Sequence, residues 1–91
     1  MRTMRPDRMG YADSVDVLYV AFGDHNLDYV GSEMEIGPWM SVQYSWPDNE
    51  VMGMEIYGLK EHFGEPPIKI TVPAEEPFTL DIPALSEPVS A

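Results

Sequence analysis

Asp13 and Asp16 stand three residues apart, just before and at the start of the strand-forming run in YADSVDVLYVAF. Two carboxylates brought within about 5 Å can share a proton or a metal ion. Catalysis would also require a base, a nucleophile or a third ligand beside them. A strand entry requires much less. Asp13 and Ser14 need only bond nearby backbone N–H groups, and Asp16 can do the same for Tyr11 or a neighbouring strand edge. The structural role is the expected one. Asp24, His25 and Asp28, with Asn26 between them, are the most metal-like group. They lack the spaced acids and the glycine of a calcium loop, so a solvated hairpin turn is expected. His62 lies between Glu61 and Phe63 with Glu65 nearby, and no second histidine follows at i+4. It reads as a surface residue paired with acids rather than a zinc ligand. There is no cysteine, no Gly-x-Ser-x-Gly and no phosphate-cradling glycine loop, so no nucleophile stands out. The expectation is a chain that is not an enzyme, with no catalytic residues, no metal site and no cofactor.

The elements that would position these groups are mainly strands. VDVLYVAF, residues 15–22, is rich in β-branched and aromatic residues. GDHN at 23–26 is a turn cluster, and GSEMEI then alternates Met34 and Ile36 against Glu33 and Glu35 until Gly37 and Pro38 break it. WMSVQYS places Met40, Val42 and Tyr44 on one face. WPDNE reads as a type I turn, and VMGMEIY as a strand with Met52, Met54 and Ile56 inward. Gly53 in that strand suggests a bulge, or an aromatic such as Trp39 lying over the gap. GLKEHFGE permits a turn or two of helix with Leu59 and Phe63 on one side. IKITV, ended by Pro73, reads as an edge strand. The expected fold is α+β or mainly β: a small antiparallel sheet of four or five strands with one short helix. Residues 1–10 read as a flexible arm, 11–72 as the β-rich domain, and 73–91 as a proline-rich extended tail in which FTLDI can dock on a sheet edge. The extreme ends, 1–9 and 84–91, carry no periodic apolar pattern and are expected to be mobile.

Charge excludes more than it assigns. Sixteen acids face five bases, for a net −11 in 91 residues. Residues 1–8 carry three Arg and Asp7, whereas the rest carries two Lys and fifteen acids. Such a surface repels phosphate backbones, and no aromatic–basic face offers itself to RNA. Direct nucleic-acid binding is therefore not expected. No apolar stretch follows the first arginines as in a signal peptide, and no run reaches the length of a membrane span. With no cysteine to oxidise, a cytoplasmic location is expected.

The blocks YADSVDVLYV and GMEI resemble an uncharacterised family of small bacterial domains of unknown function, whose members read Tyr-Asp-x-x-x-Asp-x-Leu-Tyr-Ile and later Gly-Ile-Glu-Ile. Tyr11, Asp16, Leu18, Tyr19 and Val20 match the first block; Gly53, Met54, Glu55 and Ile56 match the second. Ala12 departs from it, as does the Gly-Pro order at 37–38. The resemblance spans about residues 11–64 and implies a small antiparallel sheet with no established activity.

These readings converge on a non-enzymatic protein-interaction module, antitoxin-like or accessory, that meets a basic protein. Its candidate partner-binding residues are Asp16, Tyr19, Glu33, Glu35 and Glu55. An acidic mimic of nucleic acid, and a small hydrolase or metal site using Asp16 and Glu55, are the alternatives. Both faces of the 15–22 strand are mostly apolar. The face of Val15, Val17 and Tyr19 is expected to be covered by a second copy of the chain, as a homodimer, with the chain's own tail as the alternative cover.

Overall fold

The computed structural model describes residues 1–23, 31–45 and 49–85. Two sheets account for nearly all of its regular structure. Five strands form the larger: β2 (Arg8–Ala12), β3 (Val17–Ala21), β4 (Gly31–Ile36), β5 (Met40–Ser45) and β6 (Val51–Tyr57), in the spatial order β2-β3-β6-β5-β4 and antiparallel throughout. The smaller sheet has β1 (Arg2–Met4), β7 (Ile68–Val72) and β8 (Phe78–Ile82). Its central strand β8 pairs in parallel with β1 and antiparallel with β7.

A mainly β fold with one large antiparallel sheet agrees with the sequence, but a single sheet does not. The second sheet is built from segments read as arm and tail. Arg2–Met4 is a strand, β2 begins inside the supposed arm, and FTLDI is the middle of a sheet rather than an edge attachment. The physical reason lies in the prolines. Pro73 follows β7, and Pro77 and Pro83 bracket β8, so each sits where no ladder hydrogen bond is required of it. Residues 86–91 of the tail lie outside the described residues.

The two sheets share one apolar core. Strand alternation sends Leu18 and Val20 of β3, Val42 of β5, and Met54 and Ile56 of β6 to the same side. They meet Ile70, Val72, Phe78, Leu80 and Ile82 from the smaller sheet, and nearly all are fully buried. At roughly 1.5–3 kcal/mol for each buried aliphatic or aromatic side chain, this layer is the main source of stability. The smaller sheet, more than the short helix, covers the Leu18 face of β3. That helix is one wide turn, Leu59–Phe63, closed by hydrogen bonds from His62 N to Gly58 O (2.8 Å) and from Gly64 N to Leu59 O (3.0 Å). Leu59 is buried in the core and Phe63 packs at its margin.

Local sequence fixes the connections. A four-residue turn joins β2 to β3, with Asp16 in the left-handed region at φ 55°, a conformation that aspartate tolerates better than most residues. Gly37, at φ 65°, opens the Gly37–Trp39 turn between β4 and β5. In β6 the pairing passes from Gly53 with Gln43 to Val51 with Tyr44, so Met52 is an extra, bulged residue. Hence Val51 is buried while Met52, expected inward, is only partly so. The bulge lies next to Gly53 rather than on it, and Trp39 stacks on His62 instead of covering the glycine. The turn read at 46–50 falls partly on residues outside those described.

Candidate functional site

The face of the large sheet that turns away from the core collects four of the five candidate residues. Register alone establishes this. Gly10, Tyr19, Glu55, Ser41 and Glu35 lie side by side across the five strands, and Arg8, Ala21, Gly53, Gln43 and Glu33 form the next row. Tyr19, Glu33, Glu35 and Glu55 thus share one surface. It has two halves. Over β2 and β3 it is mostly apolar, with Val17, Tyr19 (47% exposed) and Ala21 beside Arg8, and Val15 in the adjoining turn is 62% exposed. Over β4 to β6 it is acidic.

Two of the three carboxylates are held by hydroxyls. Ser41 Oγ donates to Glu33 Oε1 at 2.6 Å, and Tyr57 OH donates to Glu55 Oε2 at 2.5 Å. Ser41 is almost fully buried, so its hydroxyl has no competing water. The Tyr57 hydroxyl is pushed above its ordinary pKa, chiefly by donating to Glu55 and further by burial. Glu33 and Glu55 are therefore held in place by neighbouring hydroxyls.

Asp16 is placed elsewhere and does something else. Its Oδ1 accepts from Tyr11 OH (2.6 Å) and Lys60 N (3.0 Å), and its Oδ2 accepts from Glu61 N (3.1 Å). Its carbonyl accepts from Gly58 N (2.7 Å) and Leu59 N (3.2 Å). The turn at 59–63 follows Gly58, which has no side chain to cap it, so Asp16 supplies the cap from 44 residues away in sequence. Asp16, at the entry to β3, thereby ties that strand to the helical turn. The Lys60 N–H and the Tyr11 hydroxyl hold the Asp16 carboxyl below its usual range. Donating to Asp16 in turn pushes the Tyr11 hydroxyl up to about 12, with burial adding to it.

Both shifts have consequences for pH. Asp16 supports the fold above its unfolded-state pKa and loses that support as pH falls through its depressed folded value. Tyr11 supports the fold below the ordinary tyrosine pKa of about 10 and loses that support as pH rises through about 12. Spectrophotometric titration of Asp16→Asn should therefore bring one tyrosine down from about 12 toward the ordinary value. An unchanged titration curve would dissociate Tyr11 from Asp16.

Asp16 and Glu55 accept from separate groups, so the pair named for a hydrolase shares no hydrogen-bond network. Among the described residues no three His, Asp or Glu side chains converge as metal ligands. Asp24, His25 and Asp28 lie outside the described residues. His62 stacks on Trp39 (centroids 3.7 Å apart, 22° between planes) and lies 3.9 Å from Glu61. Lys60 pairs with Glu65 at 3.4 Å.

No family model, curated protein or solved structure matches this chain. The sequence blocks YADSVDVLYV and GMEI are neighbours in space. Leu18 pairs with Ile56, Tyr19 with Glu55, and Val20 with Met54. Sequence reasoning found the face residues by alternation but missed their hydroxyl partners. Tyr57 lies two residues from Glu55 on the same strand, whereas Ser41 reaches Glu33 across to the next strand, a pairing only the register reveals. Among the described residues no helix is long and apolar enough to cross a membrane.

Proposed function

We propose that this chain is a non-enzymatic interaction module that docks a basic protein on the outer face of its large sheet. The observation that carries the reading is the outer row of Tyr19, Glu55 and Glu35, joined by Glu33, with Glu33 and Glu55 fixed by Ser41 and Tyr57. A pre-positioned carboxylate loses less entropy when a cation meets it than a freely rotating one. The apolar half beside it supplies area that excludes water, as the centre of an interface does. The cysteine-free chain is compatible with a reducing cytoplasm, where we place it.

Solubility alone would also explain a net −11, and the two accounts differ in where charge matters. Calorimetric titration with a deca-arginine peptide at moderate salt separates them. Glu33→Gln with Glu35→Gln should weaken binding several-fold, while Glu75→Gln with Glu76→Gln, which removes the same charge elsewhere, should leave it nearly unchanged. Equal losses would reduce the face to bulk electrostatics.

A second reading is a homodimer through the apolar half of the same face. Val15 and Tyr19, exposed at 62% and 47%, favour it. With −11 on each copy, the contact must be apolar at its centre with acids at the rim. Light scattering at micromolar concentration and moderate salt would then give twice 10.3 kDa, and a mass of 10.3 kDa would end this reading.

A further inference from the structure

The outer face is not flat beside Tyr19. Gly10 on β2 and Ala21 on β3 carry little or no side chain and leave a hollow of about 330 Å³ that reaches Gln43 and Glu55. Its floor is backbone and one methyl group, and its walls are Tyr19, Gln43 and Glu55, with Arg8 at the rim. Gly53 has no room for a side chain: a Cβ there would lie 2.7 Å from the Val20 carbonyl oxygen and 3.2 Å from Gln43 Oε1. Gly53 thus lets β6 lie close against β3 beside the hollow.

The three walls offer an aromatic ring, an amide and a carboxylate. Tyr57 takes one acceptor position of Glu55, and a carboxylate has about four. A ring face attracts a cation, most strongly a planar guanidinium that can lie against it. The carboxylate and the amide oxygen accept from the same fork of N–H donors. A methylene stem fits the apolar floor. Together these specify a long, planar, positively charged side chain.

We propose that the hollow receives an arginine side chain of the basic partner. This rests on the reading that the outer face docks a basic protein, and adds the residue type that the face selects. Arginine is preferred over lysine because an ammonium is a point charge with no planar fork for Tyr19 and Glu55 to share. Arg8, which donates to the Gly23 carbonyl at 3.4 Å, is the rim group that opposes a cation.

Deca-arginine and deca-lysine peptides test this on the whole chain by calorimetry. Deca-arginine should bind about tenfold more tightly, the size expected from one charged hydrogen bond. Tyr19→Leu and Glu55→Gln should each remove most of that preference, and Arg8→Gln should strengthen binding of both peptides. In a ¹H–¹⁵N spectrum of the unaltered chain, deca-arginine should shift the Gly53 amide and the Gln43 side-chain NH₂. Equal binding of the two peptides by the unaltered chain overturns the proposal whatever the variants do. So does an arginine preference that survives both substitutions. In either case, loss of binding on neutralising Glu33 and Glu35 would leave the acidic face standing. Failure of both peptides to bind would remove the two together.

Discussion

Phe78→Ala should lower the stability of this chain by about 3–5 kcal/mol, the cost of emptying a large aromatic site in a core. Phe78 is fully buried, at the start of β8, the central strand of the smaller sheet. Its backbone pairs with Arg2 on one side and with Val72 on the other. A domain of this size has only about 5–15 kcal/mol of stability, and small domains fall toward the lower end. At roughly 4–8 °C per kcal/mol, the melting temperature should fall by at least about 12 °C. Lys69→Ala on the exposed side of β7 is the matching control and should stay within about 0.5 kcal/mol. The contrast bears on the proline-rich segment directly. If that segment were an extended tail, truncating Phe78 would cost no more than truncating Lys69.

The edge position of IKITV and the full extent of VMGMEIY were legible in the sequence, whereas FTLDI was read only as a tail segment able to dock on a sheet edge. What concealed the second sheet was its other partner. Arg2–Met4 is three residues long, has no periodicity of its own, and pairs in parallel with a strand more than seventy residues away. Parallel pairing at that separation leaves no local signal, because no turn joins the two strands. The candidate site divides the same way. Period-2 alternation was enough to place Glu33 with Glu35, and Tyr19 opposite the Leu18 face. That these acids and Tyr19 share one surface depends on the strand order β2-β3-β6-β5-β4, which the sequence does not state. Asp16 was expected to bond Tyr11 or a neighbouring strand edge, and Tyr11 is one of its partners. Its three side-chain hydrogen bonds include two to backbone 44 and 45 residues on, beyond any pattern of spacing.

Gly53→Val should cost about 1–3 kcal/mol, the usual range for forcing extra carbon into a packed site. The obstacle is specific. The first added carbon would sit 2.7 Å from the Val20 carbonyl oxygen, which is backbone and cannot swing aside as a side chain could. Gln43 Oε1, at 3.2 Å, is the softer neighbour and can rotate away. The strand must therefore separate from β3 at Gly53 and Ala21, next to the point where Met52 already bulges it from β5. Because valine favours extended backbone, any net loss measures crowding and not propensity. Gly10→Val is the informative comparison, since nothing lies within 4 Å of a Cβ at Gly10 on the same face. Denaturant unfolding of the two variants should show Gly53→Val clearly weaker and Gly10→Val near or above the parent. Equal stabilities would mean that β3 and β6 have slack where the structure packs them tightly. The floor of the hollow beside Tyr19 would then be free to move as well.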